Sequence, residues 1–157
     1  MAGTPTSGTT LITGGTVVSA TGQTLTEVLF EGETIVALLA PGSELALAAE
    51  RGAGAVIDAT GKLVVPGGID AHTHMEVPFG VTTASDTFET GTRAAAWGGT
   101  TTIIDFATQM KGQEIRPCLE TWLAKAGGQC AIDYAFFLIV AAATETSLKT
   151  MDALVDE

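Results

Sequence analysis

Histidine, cysteine and basic residues are scarce in this chain. Its 157 residues contain 2 histidines, 2 cysteines and 7 Lys+Arg against 18 Asp+Glu, a formal net charge of -11. That balance argues against nucleic acid and anionic membrane surfaces as partners. The simplest role of the negative charge is to keep the protein in solution. The two cysteines, Cys118 and Cys130, lack metal-type spacing and are expected as a reduced, buried pair rather than a disulfide. Long apolar runs are missing as well. The longest run free of polar side chains, over 135–143, falls far short of the ~20 residues that cross a bilayer. The opening MAGTPTSGTT has neither a basic nor an apolar leader segment. Residues 1–10 are therefore read as a disordered lead, and a cytoplasmic location is expected. With 46% hydrophobic residues, the chain can still bury a core.

What is present concentrates in one stretch. The two histidines stand one residue apart in Pro66-Gly67-Gly68-Ile69-Asp70-Ala71-His72-Thr73-His74, after the apolar Leu63-Val64-Val65. A strand over 69–74 alternates its side chains between two faces. Ile69, Ala71 and Thr73 then point one way, and Asp70, His72 and His74 the other. Two imidazoles about 7 Å apart along a strand can converge on one metal ion. A metal held so suits a hydrolase that activates water.

Before that stretch the pattern is β-rich. Leu11-Ile12, Thr16-Val17-Val18, Val28-Leu29-Phe30 and 34–39 read as strands of a meander, separated by Gly14-Gly15, Thr21-Gly22 and Glu31-Gly32. Ser43 is placed to cap a helix over 44–50 with Gly52 as its stop. Val56-Ile57 and 62–65 resume as strands. Residues 11–62 are expected to form a small β-sandwich domain.

From 63 to 157 strand and helix alternate. Strands are expected at 69–74, 100–106 and 132–140. Helices are expected at about 86–97 (capped by Ser85 or Asp86), 117–126 and 144–156. This is β-α three times over, whereas a (β/α)₈ barrel needs about 250 residues. The fold class expected is α/β: the N-terminal part of a (β/α)₈ TIM barrel, incomplete in this chain and preceded by the β-rich part. A complete small α/β sandwich is the alternative, and it would leave apolar sheet edges exposed.

The histidine pair sits at the C-terminal end of the first barrel-type strand, where barrel enzymes place their active sites. Asp70 on the same face is placed to orient one imidazole, or is a structural carboxylate. Asp105, ending the second strand, also faces the barrel mouth. Glu76 and Asp86 are read as loop and cap residues, and Lys149 as a solvated helix residue. Val77 and Phe79, in the loop after the histidines, are candidate walls of a substrate pocket or ordinary loop packing. Trp97, Trp122, Phe136 and Phe137 fall at core spacing.

Three segments carry a resemblance: VVPGGIDAHTHMEVPFG (64–80), DTFETGTRAAAWGGTTTIIDF (86–106) and DYAFFLIV (133–140). The chain from Leu11 on resembles the dihydropyrimidinase/D-hydantoinase branch of the amidohydrolase superfamily. PGGIDxHTH marks the superfamily, and FETGTRAAAxGGTTxIIDF marks the branch. The resemblance implies a metal-dependent hydrolase that opens dihydropyrimidine or hydantoin rings. It implies two zinc ions bridged by a carboxylated lysine and a hydroxide, with His72 and His74 binding one of the two. The lysine, two further histidines, the catalytic aspartate and a substrate-orienting tyrosine are expected beyond Glu157. The isolated chain is accordingly expected to be inactive. A cytoplasmic homotetramer or dimer acting in pyrimidine degradation is implied for the whole enzyme. Val77 and Phe79 resemble positions of a loop that gates stereochemistry. Many relatives have histidine where this chain has Phe137.

Three other readings stay open. One is a dihydroorotase or allantoinase, though dihydroorotases usually carry an arginine after the histidines, where this chain has Glu76-Val77-Pro78. Another is a non-catalytic dihydropyrimidinase-like adaptor; such relatives lose metal ligands, whereas both histidines are retained here. The last is a small binding module with an incidental histidine pair.

Overall fold

A computed structural model describes residues 8–155, which divide into two compact units after Pro66. In the first unit, β1 (Thr9–Thr13), β4 (Glu27–Glu31), β5 (Thr34–Leu39) and β6 (Ala55–Asp58) form one sheet in the order β5-β4-β1-β6. Between β5 and β6 runs α1 (Glu44–Gly52). Its start is fixed by Ser43, whose hydroxyl accepts the Ala46 N–H at 3.2 Å. A second sheet holds β2 (Thr16–Ser19), β3 (Gly22–Leu25) and β7 (Leu63–Val64) in the order β3-β2-β7.

This is not the expected meander. β1 and β2 are consecutive but belong to different sheets, and β1 pairs with β4 antiparallel and with β6 parallel. The break lies at Gly14-Gly15. Gly14 has φ +73, and a Cβ on Gly15 would lie 2.6 Å from the Val64 side chain and 2.9 Å from Ala59 Cβ. Only glycine allows so sharp a departure with so close a neighbour. β3 escaped the sequence reading because Gly22-Gln23-Thr24-Leu25 is exposed throughout and carries no apolar alternation. β1 begins at Thr9, inside the stretch read as a lead; residues 1–7 of that stretch lie outside the described residues. Leu11 and Val28, in register-adjacent strands, are buried at the centre of this unit.

The second unit repeats strand and helix: β8 (Gly68–Thr73), α2 (Phe88–Trp97), β11 (Thr100–Thr108), α3 (Ile115–Ala126), β12 (Asp133–Ile139) and α4 (Glu145–Leu154). A two-stranded hairpin, β9 (Pro78–Phe79) with β10 (Thr82–Thr83), interrupts the loop before α2. β8, β11 and β12 are parallel and adjacent in chain order, with β11 central. That is the neighbour order of barrel strands, and the three form an open sheet rather than a closed barrel.

The sheet has a closed face and an open one. Along β11, Ile103, Asp105 and Ala107 are buried and alternate with half-buried neighbours. Ile103 and Ala107 join Phe88, Cys118, Trp122 and Ala126 in the core, with Tyr134, Phe136 and Leu138 of β12 packed against it. Helices α2 and α3 thus cover one face, by the one-in-two and one-in-four spacings of strand and helix. α2 starts at Phe88, one residue later than an Asp86 cap and two later than a Ser85 cap would place it. Thr87 is its cap: its hydroxyl accepts the Thr90 N–H at 3.1 Å while its own N–H donates to Thr90 Oγ1 at 3.0 Å, a closed capping box. α3 begins at Ile115 and keeps Pro117 in its first turn, where the missing N–H is harmless.

Two residues assigned to the core by spacing are not in it. Trp97 is 91% exposed at the end of α2, and Phe137 is 47% exposed on the open face of the sheet. Phe136 and Phe137 are neighbours on one strand, so only one of them can face the helices.

Candidate metal centre

The site begins with the glycines that precede β8. A Cβ on Gly67 would lie 2.1 Å from Thr101 Oγ1, so the chain passes too close to β11 for any side chain. The Gly68 N–H then donates to the Gly99 carbonyl at 2.9 Å, and β8 runs on in parallel with β11. His72 lies in the last turn of pleat, and His74 one residue beyond the strand. Their ring centroids are 5.1 Å apart and the rings stand almost perpendicular, at 86°. Phe106 of β11 lies against both, at 4.6 Å from His72 and 5.1 Å from His74. Phe137 continues the aromatic row, 5.4 Å from Phe106. Both histidines are exposed. Two imidazoles held this close, at the C-terminal edge of a parallel sheet, can offer a nitrogen each to one divalent cation.

The Asp70 carboxylate accepts the backbone N–H of His72 at 3.1 Å. Ile103 pairs with Asp70 and Asp105 with Thr73, so β8 advances three residues where β11 advances two. This bulge upsets the simple alternation beyond Asp70.

Asp105 faces the other way from the barrel mouth expected for it. It shares the helix side with Ile103 and Ala107 and is fully buried. One oxygen, Oδ2, accepts the Thr73 hydroxyl at 2.9 Å and the Met75 N–H at 2.7 Å; Oδ1 accepts the Phe106 N–H at 2.6 Å. Burying a carboxylate is costly unless donors surround it, and three do.

The loop after the histidines is tied down further along. Glu76 has φ +51, an uncommon conformation outside glycine. Its N–H donates to the Asp86 carbonyl at 2.9 Å, its carboxylate accepts the Phe88 N–H at 3.3 Å, and its carbonyl accepts from Lys125 Nζ at 3.0 Å. Glu76 is thus a second cap for α2, not a free loop residue. Asp86 holds the Thr90 hydroxyl at 3.3 Å.

Val77 and Phe79 part company. Val77 packs against the helix-side core and lines a cavity of about 140 Å³ with Pro78, Trp122 and Lys125. Phe79, on β9, is 79% exposed. Lys149 pairs with Glu145 at 2.8 Å on the surface of α4. Cys118 and Cys130 are both free thiols, the first buried and the second half-buried. Among the described residues, no cluster of three His, Cys, Asp or Glu side chains is arranged to hold a metal. The imidazole pair fits a nitrogen-preferring ion as two of its ligands and no more. Sequence reasoning missed Phe106, whose contact with both rings depends on the register of β11, and Gln109, a buried amide. Gln109 Oε1 accepts the Ala141 and Ala142 N–H groups at 2.8 and 3.0 Å, joining the ends of β11 and β12.

Comparison with known proteins gives a consistent set of matches. Residues 63–156 match the model of the amidohydrolase family. A D-hydantoinase of Streptomyces coelicolor is 55% identical over 150 residues, covering 94% of this chain and 31% of that protein. A dihydropyrimidinase of Rattus norvegicus is 42% identical over 131 residues, covering 83% of this chain and 25% of that protein. The crystal structure of dihydropyrimidinase from Brevibacillus agri superposes with a TM-score of 0.84 at 42% identity, covering 95% of this chain and 31% of that one. The chain therefore spans about a third of the length of these relatives.

Proposed function

The chain belongs to the amidohydrolase family, in its D-hydantoinase/dihydropyrimidinase branch, and from that premise we propose that the protein opens cyclic amides by metal-assisted hydrolysis. Dihydropyrimidine and hydantoin rings are the substrates. The observation that carries this reading is the meeting of His72 and His74, 5.1 Å apart, at the C-terminal edge of the first parallel strand. His72 and His74 would hold a zinc ion there, which would supply an acidified water and a Lewis acid for the ring carbonyl. His72 and His74 contribute two nitrogen ligands, and Phe106 limits how their rings turn. Phe79, exposed on β9, lines the approach to the ring substituent, whereas Val77 belongs to the helix-side packing.

Three protein ligands or more are usual for a catalytic zinc. The others would come from outside the described residues, a carboxylated lysine among them. The 157 residues alone are therefore inactive on this reading. The whole protein is a cytoplasmic homo-oligomer, a dimer or tetramer, in pyrimidine degradation. The test is ring opening of dihydrouracil and hydantoin by a polypeptide that extends these residues to the relatives' length. Activity should vanish on chelation, return with zinc, and be absent in His72→Ala and His74→Ala. Undiminished activity in either variant would overturn the assignment. Turnover by the 157-residue chain with added zinc would overturn the need for outside ligands.

A further inference from the structure

We propose that Asp105 is the positioning residue of the histidine pair, acting on His74 through the backbone on either side of it; this rests on the metal reading above. His74 has just left β8, so the sheet ladder no longer fixes it. Its two chain neighbours are fixed instead by one oxygen atom. Asp105 Oδ2 takes the Thr73 hydroxyl at 2.9 Å and the Met75 N–H at 2.7 Å. The other oxygen takes the N–H of Phe106 at 2.6 Å, and the Phe106 ring lies against both imidazoles. Asp105 and Phe106 are consecutive on β11 and face opposite sides of the sheet. The carboxylate secures the chain from the helix side, and the aromatic ring supports the imidazoles from the open side.

The chemistry calls for a carboxylate. All three partners are donors, and an ionised carboxylate is acceptor-only at both oxygens. An amide at this position turns one acceptor into an NH₂, which then faces an N–H. Asp105 is fully buried, so water does not substitute for the lost acceptor. A group with no access to the open face cannot itself bind a metal there. Its effect reaches the site only through where it holds residues 73–75 and Phe106.

The chain has only two histidines, so their imidazole NMR resonances are assigned by comparison with the His72→Ala and His74→Ala chains. The experiment compares the wild-type chain, Asp105→Asn and Thr73→Val, each metal-free and then titrated with zinc against a competing chelator. Asp105→Asn is expected to shift the His74 imidazole and Met75 amide resonances in the metal-free chain. It should also weaken zinc by ~10–100-fold, the range for residues that orient metal ligands. Thr73→Val, which removes one donor and little volume, is expected to move the same resonances less. Unchanged His74 resonances in a folded Asp105→Asn chain, whatever its melting temperature, would overturn the proposal. If that variant does not fold, Thr73→Val decides by the same criterion. If wild-type zinc binding equals that of a His72→Ala, His74→Ala chain, the metal reading fails, and the metal-free His74 and Met75 resonances still decide the role of Asp105.

Discussion

The two faces of the three-stranded sheet carry different work. Toward the helices lie Ile103, Asp105 and Ala107, buried among Phe88, Cys118 and Trp122. On the other side lie His72, His74, Phe106 and Phe137, with both histidines exposed. Consecutive residues belong to opposite faces, so Asp105 serves one and Phe106 the other. The closed face supplies stability and holds the backbone, and the open face presents the chemistry. Barrel strands in general separate these duties, with the functional groups gathered at their C-terminal ends.

That division is open to attack at several points. The largest effect is expected at the open face. His72→Ala or His74→Ala should reduce ring opening by the extended polypeptide beyond the ~10–100-fold lost when a residue that only orients a ligand is removed, with little change in thermal unfolding. On the closed face, Phe88→Ala should lower stability by ~3–5 kcal/mol in urea unfolding, since the ring is fully buried. Phe137→Ala, on the open face, should stay within ~0.5 kcal/mol of wild type. Equal losses at 88 and 137 would break the comparison. Gln109→Leu leaves the Ala141 and Ala142 N–H groups without their acceptor and should cost ~1–3 kcal/mol.

The smallest effect is a pH dependence on the closed face. Burial raises the thiols of both Cys118 and Cys130 above the ordinary 9.0, with the nearby Asp105 charge a second cause at Cys130. The folded chain therefore holds these protons more tightly than the unfolded one. The resulting stability is fully present below pH 9 and is lost as pH rises through the raised folded values. Urea midpoints from pH 8 upward should fall less steeply in a Cys118→Ala, Cys130→Ala chain, and alkylation of the native thiols should be slow at pH 8. Equal slopes would show that burial does not govern these groups.

Much of this was legible in the sequence where local rules act alone. The Ser43 cap, the three β/α units and the gathering of His72 and His74 follow from side-chain type and spacing. What was not legible depended on pairing between distant strands. The meander failed because Gly14-Gly15 sends β1 and β2 into separate sheets. The alternation beyond Asp70 was not legible because one extra residue in β8 resets it against β11. Asp105 was turned to the wrong face because the parity of β11 is set by Ile103 and Ala107 meeting the helices. Trp97 has core spacing yet stands exposed beyond the packed turns of α2, so apolar character alone did not decide burial.

The central question is whether the two histidines act as one ligand pair. Zinc titration of the 157-residue chain, followed at both imidazoles by NMR, tests this. His72 and His74 are expected to respond together in a single saturable step at one zinc per chain, and replacing either one should abolish the response of the other. Independent responses, or a His74 that binds zinc undisturbed in His72→Ala, would contradict that expectation.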